Sequence, residues 1–149
     1  GPNAFALPDG RVILLDDLVR LAASEDEVLG VLAHELGHVR ERHGLRALIQ
    51  GSVVAGLAGA VLGDISALLA AAPAVLLQAR YSRDLEREAD AHAAAALIAS
   101  GRSPHALADI LERMQKVSGH DASALLSTHP ATHERISSLR ERAGPGSAP

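Results

Sequence analysis

The chain has 149 residues, a net charge of −4 and no cysteine. That length makes one domain of ordinary size with a real core, and the missing thiols exclude a disulfide framework or a thiolate metal site. Phe5 and Tyr81 are its only aromatic residues and no basic block occurs, so binding of nucleic acid by charge or base stacking is excluded.

Any metal must therefore be held by His, Asp or Glu, and the chain is rich in histidine, with eight. Gly1-Pro2 reads as a remnant of protease cleavage, and the Gly/Pro/Ser-rich residues after Ala143 read as linker. The expectation is a single domain over residues 3–143, cut from a longer protein.

Ala4 to Leu7 and Arg11 to Leu15 are short apolar runs around Pro8-Asp9-Gly10. Proline followed by a closing glycine favours a tight turn, which predicts a β-hairpin. Asp16 and Asp17 predict the start of a short helix running to about Ala22.

Ser24-Glu25-Asp26-Glu27 is a capping box: Ser24 can accept from the first N–H groups while Glu27 reaches back. Val28, Leu29, Val31, Leu32, Leu36 and Val39 follow at helical spacing. Acidic residues fill the first turn and Arg40, Arg42 and His43 a later one, as the helix dipole favours. The predicted helix spans Glu25 to about His43. It carries His34-Glu35-Leu36-Gly37-His38, an H-E-x-x-H motif. Four residues turn a helix by about 400°, so His34 and His38 share one face and can reach one metal ion. Glu35 lies beside the first ligand, where a carboxylate can take a proton from water activated by the metal.

Ala47 to Ala79 holds one charge, Asp64. Each half is shorter than the roughly 20 residues that cross a bilayer. A buried, Ala-rich helical hairpin and a membrane-dipping hairpin with a Gly59-x-x-x-Gly63 seam both fit. Ser82 to Ser100 reads as a helix closed by Gly101, and Ser103-Pro104 opens another that runs to about Val117. A short helix over Asp121 to Leu126 and a last one from about Thr132 to Arg142 complete a mainly α chain with one small sheet.

A catalytic zinc needs a third protein ligand. His43 is the nearest candidate, but five residues turn a helix by about 500°, roughly 140° off the ligand face. It reads as a surface or C-terminal-turn residue. Glu86 and Asp90 lie one turn apart on the next long helix, where Glu86 could bind and Asp90 could fix a histidine tautomer. Glu88 and His92 form an equally spaced pair, and either pair could be a solvated acidic face. His120, His129 and His133 form a third group. His129 precedes proline and is presented from a loop.

Taken together, His34-Glu35-x-x-His38, Ser82-Arg83-x-x-Glu86-x-x-x-Asp90, and His129-Pro130 with Glu134-Arg135-Ile136 resemble the three signatures of the HtpX, BepA and CAAX-prenyl-endopeptidase family of metallopeptidases. Asn3-Ala4-Phe5-Ala6-x-Pro8-x-Gly10 resembles the strand that precedes that family's motif helix. The resemblance implies a zincin-like helical domain with a small N-terminal hairpin near the motif helix, and a gluzincin endopeptidase with one Zn2+ per chain. It implies His34, His38 and Glu86 as ligands, Asp90 behind them, Glu35 as base, and His129 and Arg135 beside the substrate carbonyl. In some relatives the histidine matching His129 approaches the metal and holds the enzyme latent. His92 departs from the family, where a small or apolar residue is usual.

The expected substrate is a misfolded, envelope or membrane-associated protein, and the expected location is the cell envelope, periplasmic or membrane-associated. Phe5 to Leu7 would offer it a strand edge, and Ala47 to Ala79 would contact the membrane. The rival readings are an assembly module with a latent or structural zinc site, and a metal hydrolase with a non-peptide substrate.

Overall fold

The computed structural model describes residues 1–7, 9–47, 49–52, 83–117, 126 and 128–142. The readings of a hairpin over residues 53–79, of helix over 121–125, of His120 and of the C-terminal linker fall outside them. Strands β1 (Ala4–Ala6) and β2 (Val12–Leu14) pair antiparallel, with Phe5 opposite Ile13. Gly10 closes the turn at φ 90°, a conformation that an L side chain resists, and donates to the Leu7 carbonyl. Asp9 reinforces the turn by accepting from the Arg11 amide and guanidinium.

Helix α1 (Asp16–Leu21) buries Leu18, and α2 (Glu25–Arg40) follows at once. Ser24 caps α2 by accepting from the Glu27 amide. Glu27 reaches one residue further back than a simple capping box, to the Ala23 amide, and also accepts from Arg113. That second partner explains how a glutamate only 4 % exposed is tolerated.

Helix α2 stops earlier than its periodicity predicts. Arg42 takes φ 55°, the left-handed conformation that ends helices, and residues 43–47 and 49–52 are helical again beyond it. Helix α3 (Arg83–Ala99) closes with a Schellman arrangement: Gly101 stands at φ 75°, Arg102 donates to Leu97 and Gly101 to Ile98. Ser103 then caps α4 (His105–Val117) through the His105 amide. Helix α5 (His133–Arg142) returns across α4, tied by Arg140 to Asp109 and Glu112 at 2.8 Å each.

Val31, Ala93, Ala94, Leu107, Ile110, Leu111, Met114 and Leu139 make the core between α2, α3, α4 and α5. Among the described residues no Phe or Tyr belongs to this core, and packing relies on close backbone approach. A Cβ on Gly30 would meet Leu107 Cα at 3.2 Å. A Cβ on Gly37 would meet Ala89 Cα at 3.0 Å and His92 Cβ at 3.1 Å. The second approach sets the site, because it draws the motif helix and α3 together between His38 and Glu86. Among the described residues, no helix is long and apolar enough to cross a membrane.

Candidate metal centre

Helix α2 turns His34 and His38 to the same side, with their Nε2 atoms 3.0 Å apart. Helix α3 brings Glu86 against both: Oε2 lies 3.4 Å from His34 Nε2 and Oε1 3.4 Å from His38 Nε2. His129, in the turn before α5, places Nδ1 2.9 Å from Glu86 Oε1 and 3.4 Å from His34 Nε2. One donor atom from each of the four side chains lies within 4.8 Å of every other, and all four residues are buried.

These distances suit a metal ion better than a hydrogen-bond network. Donors at about 2.0–2.1 Å from one tetrahedral zinc stand roughly 3.3 Å from one another. Among His34 Nε2, His38 Nε2, Glu86 Oε1 and His129 Nδ1, four pairs fall at 2.9–3.4 Å, and the second Glu86 oxygen stands 3.4 Å from His34 Nε2. His34 Nε2 faces three acceptor-capable atoms at once, and one N–H cannot serve them all. His34 Nδ1 is 2.9 Å from Asp90 Oδ1, an ion-pair contact close enough to favour a proton on Nδ1 and leave the Nε2 lone pair for the other donors.

Charge points the same way. Burial pulls His34 toward the neutral form, but the Asp90 and Glu86 carboxylates overcome it and raise its pKa to about 9. Burial, reinforced by the charges of His34 and His129, pushes His38 down to about 3. Glu86 resists a burial effect that would raise it: hydrogen bonds from His129, His34 and His38 hold it far below the usual carboxylate range. Asp90 is likewise held low against burial by Arg135 and His34. A proton on His34 thus stands where a cation satisfies all four donors. The residues present fit a zinc ion.

Arg135 lies across the back of this group. Its Nε and Nη2 donate to the two oxygens of Asp90 at 2.7 Å, and Nη1 lies 2.7 Å from Glu86 Oε2 and donates to the Pro130 carbonyl. Its charge is retained despite burial because Asp90 and Glu86 surround it. Glu35 is 1 % exposed, with Oε1 3.7 Å from His129 Nε2 and without a hydrogen-bond partner among the described residues. A cavity of about 390 Å³ opens beside His38, lined by Ala6, Leu7, Gly10, Val39 and Arg42.

All seven sequence-predicted residues, His34, Glu35, His38, Glu86, Asp90, His129 and Arg135, are therefore gathered in one buried cluster. His133 is outside it, bonded to Ser137. Of the two readings of His43, the C-terminal turn is where it lies, just past the end of α2, but it is not a surface residue. It is fully buried, with Nδ1 2.9 Å from His38 Nδ1 and Nε2 3.0 Å from Glu88 Oε2. The left-handed turn at Arg42 removes the 140° offset that a continuous helix imposes, and no glycine or asparagine at that position announces it. Glu88 consequently serves neither as ligand nor as an idle surface acid: hydrogen bonds from His43 and Arg46 hold its carboxyl below the usual range. His92, the family departure, stands against Gly37.

The sequence profile of the family described as Peptidase family M48 matches residues 1–143. The chain is 33 % identical over 156 residues to the putative beta-barrel assembly-enhancing protease of Vibrio cholerae, covering 95 % of this chain and 32 % of that protein. It is 31 % identical over 147 residues to the metalloprotease LoiP of Escherichia coli, covering 94 % and 58 %. It is 32 % identical over 148 residues to the mitochondrial metalloendopeptidase OMA1 of Schizosaccharomyces pombe, covering 94 % and 43 %. The chain thus spans between about a third and three fifths of the length of these relatives.

Proposed function

The chain belongs to peptidase family M48, and from that premise we propose that residues 3–143 act as the catalytic domain of a zinc-dependent endopeptidase. The observation that carries the reading is the buried donor set of His34, His38, Glu86 and His129, its donor atoms within 4.8 Å of one another, beside a Glu35 oxygen with no hydrogen-bond partner among the described residues. His34, His38 and Glu86 would hold the ion. Zinc, when bound, would supply a Lewis acid for the peptide carbonyl and lower the pKa of the attacking water.

Glu35 takes the proton of that water and passes it to the leaving amine. His129, its Nε2 toward Glu35, donates to the developing oxyanion once substrate displaces its Nδ1 from the donor group. Arg135 assists through Glu86 and Asp90, which occupy its guanidinium. Among the described residues β1 pairs only with β2, and its Phe5 to Leu7 stretch would accept an extended substrate backbone as an added strand.

Substrates of the cell envelope, and membrane contact through Ala47 to Ala79, fit relatives named as beta-barrel assembly-enhancing proteases. The test is zinc content together with casein cleavage. One zinc per chain, with cleavage lost on chelation and restored by zinc, supports the reading; cleavage indifferent to chelation overturns it.

One observation favours a second reading. His129 Nδ1 stands within the donor group itself, as a fourth ligand of a latent or structural site would.

A further inference from the structure

We propose that His43 is a positioning residue for the metal ligand His38: it fixes the proton of His38 on Nδ1 and so turns the Nε2 lone pair toward the ion. This rests on the zinc reading above and extends it to residues outside the family signatures that carried it.

The two α2 histidines need the same orientation but reach it differently. His34 has a carboxylate behind it, Asp90 Oδ1 at 2.9 Å from Nδ1. Behind His38 there is another imidazole, His43 Nδ1 at 2.9 Å. An imidazole can accept a hydrogen bond there only if its own proton is on the other nitrogen. The structure supplies that condition: His43 Nε2 is 3.0 Å from Glu88 Oε2, and an ionised carboxylate only accepts. Arg46 donates to the same Glu88 oxygen at 3.0 Å and holds it in place. Read outward, the order is His38, His43, Glu88, Arg46, with each proton assigned by the next partner.

The backbone is bent to make this contact. A continuous helix would carry His43 roughly 140° from the ligand face. Arg42 at φ 55° breaks α2 and returns His43 beneath His38, fully buried. A non-glycine residue in that conformation is strained, and the contact between the two imidazoles is what the bend achieves.

The experiment measures zinc affinity by competition with a chelating dye, and the His38 tautomer by 15N NMR, in the full chain. His43→Leu is expected to weaken zinc binding 10–100-fold, the usual cost of losing such a partner, and to shift the His38 proton away from Nδ1. His43→Asn, whose Oδ1 can take the place of the Nδ1 acceptor, should recover most of both. Glu88→Ala changes a half-exposed side chain, so it reads the same effect, smaller, if His43→Leu does not fold. Leucine and asparagine variants that bind zinc equally well, or a wild-type His38 protonated on Nε2, overturn the inference alone. A wild-type chain that takes up no zinc overturns the metal reading and this inference with it.

Discussion

Arg135 grips Asp90 with both arms of its fork, Nε and Nη2 each 2.7 Å from a separate carboxylate oxygen, in a part of the protein where both are at most 5 % exposed. Bidentate geometry is the strongest form of this pair, and each partner leads on to a proposed ligand. Asp90 continues to His34 and Arg135 to Glu86. The ion pair therefore braces two helices and two ligands together. Breaking such a pair by removing one partner costs about 3–5 kcal/mol. Asp90→Asn is expected to lose stability of that order in urea unfolding of the metal-free protein, and to weaken zinc binding about 10–100-fold. Arg135→Lys keeps the charge but not the fork and should lose part of both. If Arg135→Lys changed only catalysis, with stability and zinc affinity intact, Arg135 would act on substrate instead.

In the proposed mechanism Glu35 has a different duty from the residues that would hold zinc, and a substitution separates the two. Glu35→Gln keeps size and polarity at a site 1 % exposed, and Glu35 is not one of the residues proposed to hold zinc. The variant should retain one zinc with near wild-type affinity while casein cleavage falls by about 10²–10⁴, the range for loss of a general base. Loss of zinc along with activity would move Glu35 from base to ligand support.

Much of this arrangement was legible from local pattern. Ser24 and Glu27 marked the start of α2, the apolar spacing marked its face, and Gly101 and Ser103 marked where α3 ends and α4 begins. These are short-range signals, set by capping and periodicity within one element. Which acid on α3 meets the histidines was not legible from spacing, where Glu86 with Asp90 and Glu88 with His92 are equivalent pairs; the resemblance pointed to Glu86, and the approach of Gly37 to Ala89 brings that face to the histidines. His43 was misplaced because helical periodicity was extended through Arg42, where the backbone turns left-handed without a residue that favours it. Arg135 was placed near the site by resemblance, but its hold on Asp90 joins residues 45 positions apart, beyond the reach of any local pattern.

The bend at Arg42 makes a prediction about stability that is independent of catalysis. An L residue in the left-handed conformation is disfavoured by about 1–2 kcal/mol, while glycine there returns about 0.4–1 kcal/mol through its looser unfolded chain. Arg42→Gly should therefore stabilise the metal-free protein by about 0.5–1 kcal/mol in chemical unfolding. Arg42→Val, β-branched and strained at φ 55°, should destabilise it and weaken zinc binding by drawing His43 from beneath His38. Equal stability of the glycine and valine variants would mean that the turn is not held in this conformation in solution.

On the proposed reading, His129 would set whether the site is open or closed. Its Nδ1 is 2.9 Å from Glu86 Oε1 and 3.4 Å from His34 Nε2, inside the volume a substrate carbonyl or water must enter. A protein whose competent state is a minor fraction shows an apparent affinity reduced by that fraction, so removing the competing donor should strengthen substrate binding. His129→Ala is therefore expected to bind zinc less tightly but to cleave casein with a KM lowered about tenfold, an order of magnitude set by that population argument. The oxyanion duty proposed for the same residue works in the opposite direction on kcat, where loss of one donor costs about 10²–10³. Steady-state kinetics separate the two: KM falling alone identifies His129 as a gate, kcat falling alone identifies it as a transition-state donor, and both falling together identifies a histidine that swings from one duty to the other. Unchanged values of both, with zinc still bound, would remove His129 from the mechanism.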